Sequence, residues 1–173
     1  ADGALDERDF TDRADMLCAL GQTVIISNYA QHKNLLAYFS DYKVQRIGLV
    51  MGTRKLQHIL RETCEQHPDN LLGAFGELFP RNVRLYVYPA RDKESGALIN
   101  AQNLDMPRDI GFLYHYLLEN RNIVDVQHFN PEILGIYHRD VLHLIQQGQS
   151  GWEEKVPEEV ARLIREKRLF GWK

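Results

Sequence analysis

Three apolar runs limit what this chain can fold into. Val24-Ile25-Ile26, Ile47-Gly48-Leu49-Val50 and Val83-Arg84-Leu85-Tyr86-Val87-Tyr88 are each followed by a small or charged cluster: Ser27-Asn28, Gly52-Thr53-Arg54 and Ala90-Arg91-Asp92. Continuous apolar runs, as opposed to alternation, suit a parallel sheet covered on both faces. Parallel strands would bring all three tips to one edge of the sheet, where open α/β folds gather their ligand-binding groups. The expected class is therefore α/β, a three-layer sandwich with a mostly parallel sheet.

Helical periodicity fills the gaps between the runs. Asp6 to Leu20 carries Phe10, Ala14, Leu17 and Cys18 at spacings of three and four, with Gly21 as a C-terminal stop. Gln31 to Tyr42, Lys55 to Glu65 and Asn70 to Phe79 read as further helices, and Thr23–Ile26, Arg46–Met51 and Val83–Tyr88 as strands. Residues 1–90 thus form a β-α-β-α-β core. Beyond Pro89, Asp92-Lys93-Glu94-Ser95-Gly96 is a turn and Pro107 to Glu119 a helix with proline in its first turn. A short strand at Ile123–Val126 follows, then helices over about Pro131–Gln146 and Pro157–Lys167. Residues 91–173 are a mainly helical cap, and the whole reads as a single domain over 1–173. Trp152 and Trp172 bracket the last helix as anchors, while Tyr114, Tyr116, Leu117 and Leu118 read as helix core.

Composition narrows the function classes. A chain of 173 residues with 44% hydrophobic and 26% charged residues is an ordinary globular composition. No apolar stretch approaches the ~20 residues of a membrane span, and the first residues lack a signal peptide's layout, so a cytoplasmic protein is expected. The net charge of −3 supplies no global field for nucleic acid, and neither nucleic acid nor membrane is an expected partner. Cys18 and Cys64, far apart and each in a helical stretch, read as reduced, buried thiols. The seven histidines form no metal motif: His138 and His143 are five apart, and His-Glu-x-x-His is absent. His138-Arg139-Asp140 matches a kinase catalytic-loop string without the glycine-rich loop or Asp-Phe-Gly that would give it meaning. No metal and no cofactor are expected.

Candidate binding residues sit at the strand tips. Ser27 and Asn28 offer a hydroxyl and an amide beside the free N–H groups of a following helix, where an anion is favoured, although the same residues serve as ordinary helix caps. Gly52 admits close approach to the backbone, Thr53 offers a hydroxyl, and Arg54 a planar donor fork suited to phosphate or carboxylate. Arg91 could complete a charged pocket at the third tip. Neither a P-loop nor Gly-x-Gly-x-x-Gly occurs. These residues can bind an anion but include no evident nucleophile, general base or metal set, so the catalytic residues are unknown and this segment is expected to be inactive alone.

Over Leu17–Asn28, Ile47–Gly52, Val83–Pro89 and Leu117–Asn122, then through His138 to Leu142, Trp152 to Pro157 and Leu169-Phe170-Gly171, the chain resembles a little-characterised bacterial family. Its members are labelled nicotinate- or nicotinamide-mononucleotide adenylyltransferase, and some TonB-dependent receptor. The resemblance implies the C-terminal part of a longer protein, a view that the start at Ala1-Asp2-Gly3 also suggests. The His-x-Gly-His and Ser-Ser/Thr-x-x-Arg motifs of such transferases are absent, so no catalytic residue is carried over. A receptor barrel would need many alternating strands of about ten residues, which this chain lacks. Val24-Ile25-Ile26-Ser27-Asn28 is also similar to the second motif of haloacid-dehalogenase phosphatases, whose nucleophilic Asp-x-Asp is missing upstream. The expected function is an accessory α/β domain binding a nucleotide or phosphorylated metabolite at the strand tips. The alternatives are an interaction or dimerisation domain, packing on the upstream region of the same protein or on a second copy, and a phosphatase-like domain without its nucleophile motif.

Overall fold

Two of the three apolar runs become neighbouring parallel strands, and the third does not join the sheet. In the computed structural model, which describes residues 7–29, 32–92 and 94–172, the chain runs α1 (Glu7–Ala19), α2 (His32–Asp41), β1 (Ile47–Gly52), α3 (Thr53–Gln66), α4 (Leu71–Leu78) and β2 (Val83–Tyr88). It continues through β3 (Ala90–Arg91), β4 (Leu98–Ile99), α5 (Gly111–Glu119), β5 (Ile123–Asp125), α6 (His138–Gln146) and α7 (Glu158–Lys167), with short 3-10 turns between. The mixed α/β class with a parallel sheet is as expected. The described residues group into a sheet unit within Asn28–Leu134 and a helical unit drawn from Ala1–Ser27 and Gly135–Lys173.

The sheet has the order β1-β2-β5, all parallel, with Ile47 to Gly52 registered on Val83 to Tyr88 and Leu85 to Val87 on Ile123 to Asp125. The β-α-β-α-β path therefore exists, but it ends at Ile123–Asp125 and does not begin at Thr23–Ile26. Residues 22–29 carry no strand, and Ile25 and Ile26 are 67% and 65% exposed. A four-residue run of high β-propensity becomes a strand only where a ladder partner lies beside it. The β3-β4 pair forms a separate small hairpin, Ala90 opposite Ile99.

The strand order advances in one direction and follows the chain. Right-handed crossovers that all move the same way across a sheet place their helices on the same face. The core obeys this rule. Leu56 and Leu60 of α3, Phe75 of α4 and Tyr114 and Leu117 of α5 pack on Leu85, Val87 and Ile123, while Leu36 of α2 packs on Ile47 and Val83. In α3 the buried positions Thr53, Leu56 and Leu60 recur at spacings of three and four, with Arg54, Lys55, His58 and Arg61 exposed, which is the stripe a half-buried helix needs. Among the described residues of the sheet unit, no helix of this unit packs on the other face, Gly48, Val50, Arg84, Tyr86, Tyr88 and Val124 by register, and Val50 is 68% exposed. The continuous apolar runs had suggested cover on both faces; β1 and β2 instead alternate between covered and open positions. Tyr116, read as core, is 60% exposed.

The helical unit is organised around Trp152, which is fully buried and packs edge-on against Trp172 at 5.3 Å, with Val141, Ile145, Val160, Ala161 and Ile164 in the same cluster. The bracketing tryptophans thus do anchor α7. Glu158 and Glu159 open that helix and Arg165 and Lys167 close it, matching its dipole at both ends. α1 buries no residue completely, and Cys18 on it is exposed, contrary to the expectation of two buried thiols. Cys64 is half-buried, and desolvation pushes its thiol up. Among the described residues, no helix is long and apolar enough to cross a membrane.

Candidate functional site

At the carboxyl edge of the sheet, Gly52 ends β1 in extended backbone and leads directly into α3, where Thr53 is buried and Arg54 exposed on the first turn. Arg91 lies on β3, its Nη1 donating to the Gly96 carbonyl at 3.2 Å across the hairpin. The Asp92 carboxylate accepts from the Ser95 N–H and hydroxyl, each at 2.8 Å, and from the Glu94 N–H. Those hydrogen bonds, the Ser95 amide first, hold its carboxyl below the ordinary range, with the Arg54 charge a smaller contributor. Ser27 and Asn28 lie in coil and end no strand.

The same edge is largely taken up by the chain itself. Ala101, fully buried, donates its N–H to Asp125 Oδ1 at 2.7 Å at the end of β5, and its carbonyl accepts from the Tyr114 hydroxyl at 2.7 Å. Gln57 on α3 donates to the Asp105 carbonyl at 2.8 Å. Burial, with the Asp125 charge adding to it, drives the Tyr114 phenol well above its ordinary value, so it acts as a fixed donor. Ligands of open α/β sheets enter where the strand order reverses. Among the described residues the order does not reverse.

The amino edge is different in kind. Gln45, Arg46, Arg81, Asn82, Arg84, Tyr86 and the stretch Asn120-Arg121-Asn122 line a groove of about 340 Å³ floored by Gly48. Four of its lining residues are arginines and none is acidic. Arg46, Arg81, Arg84 and Arg121 are all exposed, and none of their guanidinium groups has an ion-pair or hydrogen-bond partner among the described residues. The walls are fixed by the backbone: Ile47 N–H donates to Asn82 O and Leu85 N–H to Asn122 O, each at 2.8 Å, while Asn82 Nδ2 reaches Val44 O. Tyr86 leans over Gly48, where a Cβ would stand 3.1 Å from its Cε2.

Helix ends meet this edge, and their carbonyls offset part of the arginine charge. α2, α4 and α5 each finish just before the groove residues. A helix C-terminus is worth about half a negative charge, so three of them offset roughly one and a half of the four guanidinia. About 2.5 positive charges remain, enough to make the groove an anion site. α2 and α5 also close through left-handed residues, Lys43 (φ 55) and Arg121 (φ 57), where glycine is usual. In the helical unit Gly21 and Gly148 fill that position after α1 and α6, whereas α7 ends on Arg168.

The groove leaves no motif in the sequence, because its arginines stand singly near the starts of strands. A further cleft of about 110 Å³ among α2, α3 and α4 mixes His32, Lys33, Lys55, His67, Glu62 and Glu77. Desolvation and then Lys55 lower the His32 pKa, and Lys33 lies 3.9 Å from Glu77, so opposite charges there satisfy one another. No group of three metal-capable side chains occurs among the described residues. Comparison with protein-family models, with curated proteins and with solved structures returns no match.

Proposed function

We propose that the sheet unit is a binding module for a phosphate-bearing ligand, a nucleotide or phosphorylated metabolite, seated in the arginine groove at the amino ends of the strands. The observation that carries this is the convergence of four unpartnered guanidinia with no carboxylate among the lining residues. A guanidinium presents a planar fork that matches phosphate oxygens, and charge-assisted pairs of this kind are the strong ones. The groove has no serine, cysteine, histidine or carboxylate, so it supports binding and not turnover. The mononucleotide transferase resemblance agrees with the ligand class and leaves the chemistry to another part of a longer protein. The strand-tip set of Gly52, Thr53, Arg54 and Arg91 is the weaker site, since the Asp92 carboxylate already shares the field of Arg54 and Arg91 is engaged in its hairpin.

Thermal unfolding with pyrophosphate and inorganic triphosphate, on the wild type, Arg84→Ala and Arg54→Ala, tests the assignment. A ligand at a hundred times its dissociation constant adds about 2.7 kcal/mol. Loss of the shift in Arg84→Ala with retention in Arg54→Ala is the expected result. The reverse pattern moves the site to the strand tips, and no shift at all removes the proposal.

A second reading has its own observation. On α5, Phe112 is 94% exposed and Tyr116, one turn later, 60% exposed. An aromatic pair of this kind fits an interaction domain that packs on a second copy or on the upstream region. Sedimentation that remains monomeric at high concentration, unchanged in Phe112→Glu, would count against self-association.

A further inference from the structure

We infer that the groove is one end of a platform for single-stranded nucleic acid, laid along the open face of the sheet. The inference rests on the phosphate-binding assignment above and extends it to a polymer and to a second surface. Along β2 the open-face positions are Arg84, Tyr86 and Tyr88, a guanidinium followed by two aromatic rings at strand period. Register places Gly48, Val50 and Gly52 beside them on one flank, and Val124 beside Tyr86 on the other. The neighbours are small or aliphatic, so the tyrosines stand on a low floor. Two residues of strand rise separate the tyrosines by about 6.6 Å, room for successive bases that are splayed and not stacked on each other.

Each ring is disposed for such contact. The Tyr86 side chain has no ring partner and no hydrogen-bond partner among the described residues, and it forms a wall of the groove. Tyr88 is backed edge-on by Phe129 at 6.2 Å, which steadies it. Base stacking on aromatic rings beside a basic track is how sequence-tolerant single-strand binders work, and a duplex, whose bases are already stacked, cannot use the rings. The net charge of −3 does not oppose this. Screening confines each charge to about 8–10 Å, so the groove's own arginines set the local potential.

The test is fluorescence anisotropy of labelled oligo-dT and oligo-rU of about 12 nucleotides, beside a duplex of equal length and inorganic triphosphate as competitor. Expected are binding of the single strands, at least tenfold weaker duplex binding, and an affinity that falls by about 0.7 decades per engaged phosphate for each decade of salt. Tyr86→Leu should weaken single-strand binding by roughly 10- to 100-fold and Tyr86→Phe should restore it, with far-UV circular dichroism unchanged. Arg84→Ala should weaken the strand and the triphosphate alike. Triphosphate binding without oligonucleotide binding overturns the platform and leaves the phosphate site intact. Failure of both ligands overturns both. Equal affinity for duplex and single strand, insensitive to Tyr86→Leu, reduces the contact to charge alone and overturns the platform.

Discussion

Replacing Arg121 by glycine should make the protein more stable while weakening its anion site. Arg121 holds φ 57 just beyond α5, with its N–H on Leu118 O and the Asn122 N–H on Leu117 O, the paired bonds of a helix end that turns through a left-handed residue. A non-glycine residue there is strained by roughly 1–2 kcal/mol. Glycine removes the strain but loses about 0.4–1 kcal/mol through the greater freedom of the unfolded chain. The net gain is about 0.5–1 kcal/mol, or roughly 2 °C in melting temperature for a chain of this size. Arg121→Ala keeps a Cβ and so keeps the strain, which separates backbone from charge. Both variants delete one guanidinium, and a charge-assisted hydrogen bond is worth about 1.5–3 kcal/mol, so triphosphate affinity should fall on the order of 10- to 100-fold in each. Urea unfolding followed by circular dichroism, at low and at high salt, reads the first effect, and titration calorimetry the second. A stability gain that vanishes in high salt would be relief of repulsion among the arginines and not of backbone strain. Destabilisation by Arg121→Gly, or unchanged binding in both variants, would refute the reasoning.

Tyr114→Phe leaves the buried Ala101 carbonyl without its donor and should cost about 1–3 kcal/mol, seen as faster hydrogen exchange at the Ala101 amide ahead of β2. The Asp92 carboxyl, held low by the Ser95 amide and hydroxyl, stabilises the β3-β4 hairpin at pH values above its unfolded-state range. That contribution is lost as pH falls from the ordinary aspartate range through the lower folded value. Amide chemical shifts of Ser95 and Gly96 should report the change, and Asp92→Asn should abolish its pH dependence.

Much of the fold was legible because β1 and β2 are apolar runs bounded by helices with clear stripes, and even the short strand after Asn122 could be read. Thr23–Ile26 misled because its residues have the right propensity, whereas strand formation depends on a neighbour that local sequence cannot name. The number of covered faces was equally hidden. It follows from the direction in which the strand order advances, which only pairing reveals. The arginine groove was invisible for a related reason: Arg46, Arg81 and Arg121 belong to three separate connections and Arg84 to β2, and the register of Ile47 on Val83 and Leu85 on Ile123 is what gathers them. By contrast Gly52-Thr53-Arg54 and Arg91-Asp92 were conspicuous in sequence, and the structure gives them helix-start and hairpin duties.

A sheet whose strand order follows chain order can be assembled in the order in which it is synthesised. β1 and β2 pair over six positions through a crossover that holds α3 and α4, and β5 then adds three at the edge. Parallel pairings between residues far apart in sequence form slowly, and the last, shortest strand is the part most readily released. That strand and the turn before it carry Arg121, Asn122 and Val124, one whole side of the groove and of the open face. A bound anion would therefore fasten the element that closes last, and the protection of β5 amides against exchange becomes a direct gauge of occupancy.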